Sequence, residues 1–408
     1  MTTGERPLAT GDPSLVRTRN AVFAVFALNG LAFANWISRI PAIRDELDLT
    51  AGQLGLLLLT LSTGSVLALP AAGAIVLRIG PARTVLGGAV LVSAGMAVVG
   101  VGGGSVGNVV LAAAGFFAFG AGSGVWDVAM NVEGADVERR LGRTVMPRFH
   151  AAWSLGSVTG AGLGAVAAGF DTPLDAHLSV AAVVILAGVV AAVRSFTPVA
   201  PAVDATPDDG AAKPRHPMTA WLEPRTLLIG LLVLSAALTE GAANDWLALA
   251  LVDGYGASHA VGAVGFAVFV SAMTTGRVSG TWLLDRFGRV VVLRSGIAVA
   301  IGGLTLFVLG GSLALAMVGA LLWGLGASLG FPVGMSAAAD DGSFAAPRVS
   351  VVASIGYTAF LAGPPLIGLL ADRVGVLQAL LVIIATLVLS LAVTAAASPP
   401  RSVPAERG

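Results

Sequence analysis

Few residues in this chain have chemistry to offer, and most of them stand inside long apolar runs. Asp127 and Glu133 lie in one run, Glu240 and Asp245 in another, and Arg277 in a third. If such a run crosses a bilayer, an unpaired charge in it costs a few kcal/mol or more, so each group needs a partner, a wet cavity or a task. Carboxyl groups can take up and release protons, and arginine and amide groups can hold a solute. There is no cysteine, hence no disulfide, thiolate nucleophile or Cys-based metal site. The four histidines (His150, His177, His216 and His259) are scattered over different loops and ends. No Ser-His-Asp spacing, H-E-x-x-H or paired catalytic carboxylates occur, which argues against an enzyme and against a metal cofactor. A nucleotide-binding G-x-x-x-x-G-K-[ST] is also absent, so energy must come from an ion gradient or from the solute's own.

The elements that must position these groups are membrane spans. Hydrophobic residues make up 56% of the chain and charged ones 11%, against roughly a quarter charged in a soluble domain. Twelve runs reach the ~20 residues a spanning helix needs, centred near Ala27, Ser65, Val92, Phe117, Val158, Ile185, Ser235, Phe269, Ala300, Leu325, Ala359 and Leu387. Basic residues collect in every second connection: Arg78 and Arg83; Arg139, Arg140, Arg143 and Arg148; Arg194, Lys213, Arg215 and Arg225; Arg286, Arg289 and Arg294; and Arg348. Only Arg39, Arg44 and Arg373 fall in the alternate ones. Positive loops stay in the cytoplasm, so the chain is expected to be an all-α integral membrane protein with both ends inside. Polar residues 1–19 with Arg17 and Arg19 precede an uncleaved first helix, since no A-x-A-like site follows. With 22 Arg to 1 Lys and abundant Ala and Gly, a GC-rich bacterium and its cytoplasmic membrane are the expected setting. No basic face is free for nucleic acid.

The chain divides in the middle and repeats. Residues 196–222 hold Pro198, Pro201, Pro207, Pro214 and Pro217, cannot build a core, and are expected to be a cytoplasmic linker. That leaves an N-terminal tail 1–19, six-helix bundles 20–195 and 223–397, and a C-terminal tail 398–408. Asn35-Trp36 matches Asp245-Trp246, and Gly52-x-x-Gly55 matches Gly262-x-x-Gly265, both at an offset of 210. Arg78-Ile79-Gly80 matches Arg286-Phe287-Gly288 at 208, and Pro147-Arg148 with Ser154-Leu155-Gly156 matches Pro347-Arg348 with Ser354-Ile355-Gly356 at 200. A duplicated six-helix unit accounts for this order, and parallel repeats of that kind occur in transporters.

On these motifs the chain resembles the major facilitator superfamily of secondary transporters over essentially its whole length. The family's loop signature, G-x-x-x-D-R-x-G-R, stands after the eighth span as Asp285-Arg286-Phe287-Gly288-Arg289, with Gly280 one place early. After the second span Gly73, Arg78, Gly80 and Arg83 remain, and Leu77 replaces the Asp. The resemblance implies twelve helices in two pseudo-symmetric bundles, a monomer, and a cytoplasmic latch at these loops. A shorter copy, Gly368 followed by Asp372-Arg373-Val374-Gly375, falls after the eleventh span on the outer side, and the sequence assigns it no role.

Asp127 lies in Gly120-x-Gly122-x-Gly124-Val-Trp126-Asp127, with Asn131 four residues on and so on the same helical face. Gly122-x-Gly124-x-x-Asp127-x-x-x-Asn131 resembles the fourth-span motif of fucose-type sugar:proton symporters, which carry Glu at the acidic place. That likeness implies that Asp127 handles the coupling proton; the alternative is a helix end bonded to a loop. Those symporters' first-span acid has no counterpart, and Ile37 occupies its place. Glu240 and Asp245, the other proton-coupling candidates, point about 140° apart, so one of them faces the cavity. Asp245 fills the slot of Asn35, and Arg39 is expected either to pair with Asp245 across the outer mouth or to snorkel to headgroups. Arg277, two turns before Asp285, is grouped with Arg39, Asp285, Arg286 and Arg289 as gating residues. Glu133 is expected to be a solvated acid. Trp36, Trp126 and Trp246 adjoin Asn35, Asp127 and Asp245, where an indole suits a sugar face or anchors at the interface; Trp153 is a fourth such position. Asn29, Asn35, Asn131 and Asn244 are the amides expected in the cavity. Gly156-x-x-x-Gly160-x-x-x-Gly164 permits tight packing, and Pro70, Pro332 and Pro364-Pro365 are expected to kink their spans.

Together these residues describe a secondary active transporter that moves a small polar solute by alternating access, with proton-coupled symport expected and drug or metabolite efflux by antiport as the alternative. A polar cavity favours the first, since a pump for greasy drugs would line its cavity with more aromatics and Met. A non-transporting sensor would need a larger soluble output segment. The expected partners are the solute, protons and the lipid bilayer.

Overall fold

A computed structural model describes residues 13–141, 145–196, 217–338, 340 and 345–398. Most of the expected linker and tails therefore lies outside the described residues, although Pro217–Leu222 forms a 3-10 turn where the linker was expected to continue. Among the described residues twelve helices are long and apolar enough to cross a membrane. The first bundle contains α1 (Pro13–Ile37), the short α2 (Ile40–Glu46), α3 (Ala51–Ile79), α4 (Pro81–Gly103), α5 (Val109–Leu141), α6 (Met146–Gly169) and α7 (Leu174–Val193). The second contains α8 (Pro224–Tyr255), α9 (His259–Phe287), α10 (Arg289–Leu309), α11 (Leu313–Ala327), α12 (Gly330–Ala338), α13 (Ala345–Val374), α14 (Val376–Ala379) and α15 (Val382–Val393). The tenth span is α11 plus α12 and the twelfth runs from α14 through α15. Below, the arginine-rich side is called inner, following the positive-inside rule.

Local chemistry sets the helix ends. Thr50 and Gln53 form a capping box at the start of α3, and Ser258 and Ser312 cap α9 and α11. Gly80, Gly288 and Gly375 adopt φ of 81°, 76° and 87° between α3 and α4, α9 and α10, and α13 and α14. Each is the glycine of an Arg-x-Gly copy, and each makes a turn that a Cβ disfavours. The copy after the eleventh span thus shares the backbone device of the other two. Pro364 and Pro365 stand inside α13, which runs on through them, and α3 likewise continues through residue 70. The break in the tenth span falls at Ser328 and Leu329, ahead of Pro332.

Glycine rows draw the helices to backbone contact. A Cβ on Gly156 would strike the Ala27 carbonyl oxygen of α1, one on Gly160 would lie 2.6 Å from the Leu31 oxygen, and one on Gly164 would strike Ser38. Gly162, on the same helix, faces open space. Gly156→Val is accordingly expected to lower stability by about 1–3 kcal/mol by forcing α1 from α6, whereas Gly162→Ala should leave the melting temperature of the purified protein nearly unchanged.

The bundles meet along their outer halves. The hydrogen bonds and ion pairs between described residues of the two bundles are Arg44 with Asp253, Asp45 with His259, Thr50 and Gly52 with Asp372, and the Ser62 hydroxyl donating to the Phe360 carbonyl at 2.9 Å. Between them Gly55 presses on the Pro364 carbonyl. Burial works against the charge on Arg44, but its hydrogen bonds to Asp253 and Asp45 outweigh it and hold the guanidinium pKa above its usual value.

Candidate functional site

A polar cluster lies where the two bundles face each other, inward of the Ser62–Phe360 bond. On α5, the Asn131 amide donates to the Asp127 main-chain oxygen at 2.8 Å and reaches its carboxylate at 3.3 Å. Asp127 is exposed, and it lies within electrostatic reach of Tyr357 on α13 of the other bundle. An exposed carboxylate on one bundle that feels a side chain of the other must face the space between them. Tyr357, 43% exposed, tilts its ring over Phe360 at a centroid distance of 6.3 Å.

Further polar groups complete the wall. The Trp153 indole of α6 donates to Asn29 of α1 at 2.9 Å. His150, one turn before Trp153, is exposed and lies within electrostatic reach of Arg277 on α9. Arg277 binds Glu240 of α8 at 2.8 Å and donates to the Ser328 carbonyl at 3.3 Å. That carbonyl is free because the tenth span breaks there, so the discontinuity has a use. Both side chains of the pair remain partly exposed, 27% for Arg277 and 16% for Glu240. The cluster as a whole offers an unpaired acid, a neutral ion pair, two amides, a phenol and an imidazole.

Several expectations need correcting. Trp126 and Trp246 are 0% exposed and Trp36 is 2% exposed, so none of them lines the cavity or sits at an interface. Trp126 packs on Gly88 of α4, Trp246 on Gly368 of α13, and Trp36 among Phe33, Phe116 and Phe119. Asn35 is 1% exposed and donates to Leu31 of its own helix at 2.8 Å, which removes it from the cavity wall. Arg39 does not pair with Asp245: it is 6% exposed and donates to the Thr172 carbonyl at 2.8 Å, inside the first bundle. It does not snorkel either. Asn29 is mostly buried and enters the wall through its bond to Trp153. Asn244 and Asp245 are half-buried on α8 and make no hydrogen bond or ion pair with another described residue. Glu133 is not solvated: it is 1% exposed, and neither carboxyl oxygen has a hydrogen-bond partner among the described residues.

The gating residues also separate. Arg277 belongs to the cavity through Glu240 rather than to a latch with Asp285. Asp285 and Arg286 are exposed at the inner end of α9, with Arg286 5.8 Å above the Phe287 ring. Arg289 binds Asp340 at 2.6 Å, and Arg225 binds the other oxygen of Asp340 at 2.8 Å. Asp340, with a side chain 9% exposed, is the inner anchor that the sequence did not single out. Tyr357 and His150 were likewise missed, because neither belongs to a motif. One signal was available for Tyr357, since it is one of only two tyrosines in the chain.

Two bundles that close on one side of a polar intramembrane cluster define the class of alternating-access secondary transporters. The family model of the Major Facilitator Superfamily matches residues 22–352, and the chain belongs to that family. It is 33% identical over 354 residues to the uncharacterized transporter y4wD of Sinorhizobium fredii, covering 86% of this chain and 90% of that one. In structure it is similar to a bacterial homolog of the human lysosomal transporter Spinster, inward-facing and unoccupied, with a TM-score of 0.74 at 13% identity, covering 95% of this chain and 98% of that one. It is also similar to the fucose:proton symporter FucP of E. coli, with a TM-score of 0.63 at 17% identity, covering 95% of this chain and all of the other.

Proposed function

We propose that the protein carries a small polar solute, sugar-like or another hydrogen-bonding metabolite, by proton-coupled symport across the bacterial cytoplasmic membrane, as a monomer with both ends in the cytoplasm. On this reading the structure is inward-facing, because the seam is closed at the outer end. The observation that carries the proposal is the exposed Asp127, bonded to Asn131, facing Tyr357 across the gap between the bundles. An acid that water can reach from one side at a time is what proton coupling needs, and the adjoining amides and phenol suit hydroxyl groups. The likeness of the fold to the fucose:proton symporter FucP supports this reading.

The solute is sought by thermal unfolding of the detergent-purified protein against sugars, polyols, carboxylates and drugs. A ligand at roughly 100 times its dissociation constant adds about 2.7 kcal/mol to stability. A sugar or polyol hit that vanishes in Asn131→Ala is expected. Hits confined to hydrophobic cations would overturn the symport reading in favour of an exporter.

A further inference from the structure

Asp372 belongs to the copy of the Asp-Arg-x-Gly signature that lies on the outer side, and its carboxylate reaches across the bundle boundary. The main-chain N–H of Gly52, in the first turn of α3, donates to Asp372 Oδ1 at 2.9 Å, and the Thr50 hydroxyl lies 3.3 Å from Oδ2. We propose that Asp372 holds the outer mouth shut by capping α3 from the opposite bundle, so that releasing this cap is a step in outward opening.

The cap of α3 is incomplete without it. The first N–H groups of a helix have no partner within the helix. In α3 the Thr50 side chain takes up the Gln53 N–H, and Gln53 returns a bond to the Thr50 N–H. Gly52 N–H is left over, and its acceptor comes from α13. The residue at 52 suits the arrangement, because a Cβ there would strike Asp372 Oδ2. Gly368, one turn before Asp372, would bring a Cβ to 2.5 Å from the Ala51 carbonyl oxygen. The two backbones therefore approach just where the carboxylate docks, and a negative charge sits at the positive end of the α3 dipole. Gly375, with φ of 87°, ends α13 three residues later, which keeps Asp372 in the last turn.

The neighbouring bridges are weaker holders. The Asp45–His259 pair is 41% and 37% exposed and the Arg44–Asp253 pair 19% and 29% exposed, and Asp372 is itself exposed, so what sets it apart is its partner. Each neighbouring bridge joins two side chains that must both give up rotamer freedom, and such pairs contribute little where water reaches them. A charge-assisted bond to a main-chain N–H that cannot rotate away is stronger.

The test reads the conformer ratio directly. Because the natural chain has no cysteine, introduced thiols are the only ones. Spin labels at Val106→Cys and Leu309→Cys report the outer side, and labels at Ile79→Cys and Val291→Cys report the inner side; all four positions are exposed. Asp372→Ala is expected to raise the ratio of outward-facing to inward-facing protein about tenfold, the equivalent of ~1.4 kcal/mol, with the outer distance lengthening and the inner one shortening. Asp372→Asn, which keeps the shape and an acceptor oxygen, is expected to fall between Ala and the natural protein. If the Ala variant does not fold, the Asn variant carries the test. Asp253→Ala, which breaks a pair of two side chains that water partly reaches (19% and 29% exposed), is expected to shift the ratio less than about twofold. Unchanged distances in folded Asp372 variants would overturn the proposal, as would an equal shift in Asp253→Ala. The readout needs neither solute nor proton gradient, so its failure is separate from any failure of the symport reading.

Discussion

Asp127→Asn is expected to abolish uphill accumulation of the solute while leaving downhill exchange intact. Asparagine has the shape of aspartate and still offers an oxygen to Asn131, which approaches Asp127 at 3.3 Å, so the wall of the cavity should survive. What it cannot do is bind and release a proton. In a symporter moving one proton per solute, each pH unit across the membrane drives about tenfold accumulation, since 1.4 kcal/mol corresponds to a factor of ten. In the variant the accumulation ratio should fall to about one at any pH gradient. The measurement is paired: acid-driven uptake and solute-for-solute counterflow in the same proteoliposomes, using the solute found by thermal unfolding. Lost uptake with retained counterflow places the coupling proton on Asp127. Acid-driven accumulation at the natural level would remove the proton from this residue, and loss of both activities would make Asp127 part of solute binding instead.

The membrane architecture could be read because it follows from repeated, local rules. Apolar runs of spanning length and the alternation of arginine-rich connections each recur along the chain, and a recurring rule survives a few exceptions. The Asp127–Asn131 pair was legible for the same kind of reason, since residues four apart on a helix share a face. The tryptophans were misjudged by the converse geometry. Trp126 follows its helix one residue before Asp127, and neighbours on a helix point about 100° apart. If Asp127 faces the gap between bundles, Trp126 cannot, and it packs on Gly88 instead. Trp246 is likewise fully buried beside the half-buried Asp245, whereas Trp36 and Asn35 are both buried inside the first bundle. A polar neighbour in sequence therefore does not place an indole in the same cavity.

Contacts between distant segments were not legible at all. Arg39 finds Thr172 and Arg289 finds Asp340, and no periodicity foretells which carbonyl or carboxylate a long side chain will reach. The third Arg-x-Gly copy shows the limit most clearly. Its pattern was visible, but its use depends on the α3 N-terminus, which lies 320 residues earlier in the chain.

Arg277 was also misplaced by sequence, and the second large effect is expected there. Its partner Glu240 lies on α8, and together they form a neutral pair beside the cavity. Arg277→Ala leaves Glu240 and the Ser328 carbonyl without their donor. Removing one member of a fully buried pair costs about 3–5 kcal/mol. Here the side chains are 27% and 16% exposed, and that partial hydration reduces the expected loss to about 1–3 kcal/mol. Glu240→Ala should cost a similar amount, because it strands the guanidinium. The double variant should be more stable than the sum of the two losses implies, since it leaves neither charge alone. Chemical denaturation of the four proteins closes the cycle. A coupling near zero would show that the pair does not hold α8 to α9. A substantial coupling, together with acid-driven accumulation kept in Glu240→Gln, would assign Glu240 to anchoring Arg277 and leave proton transfer to Asp127. Loss of accumulation in that variant would instead make the pair part of the coupling machinery, because a proton on Glu240 would release Arg277 toward the cavity and toward His150.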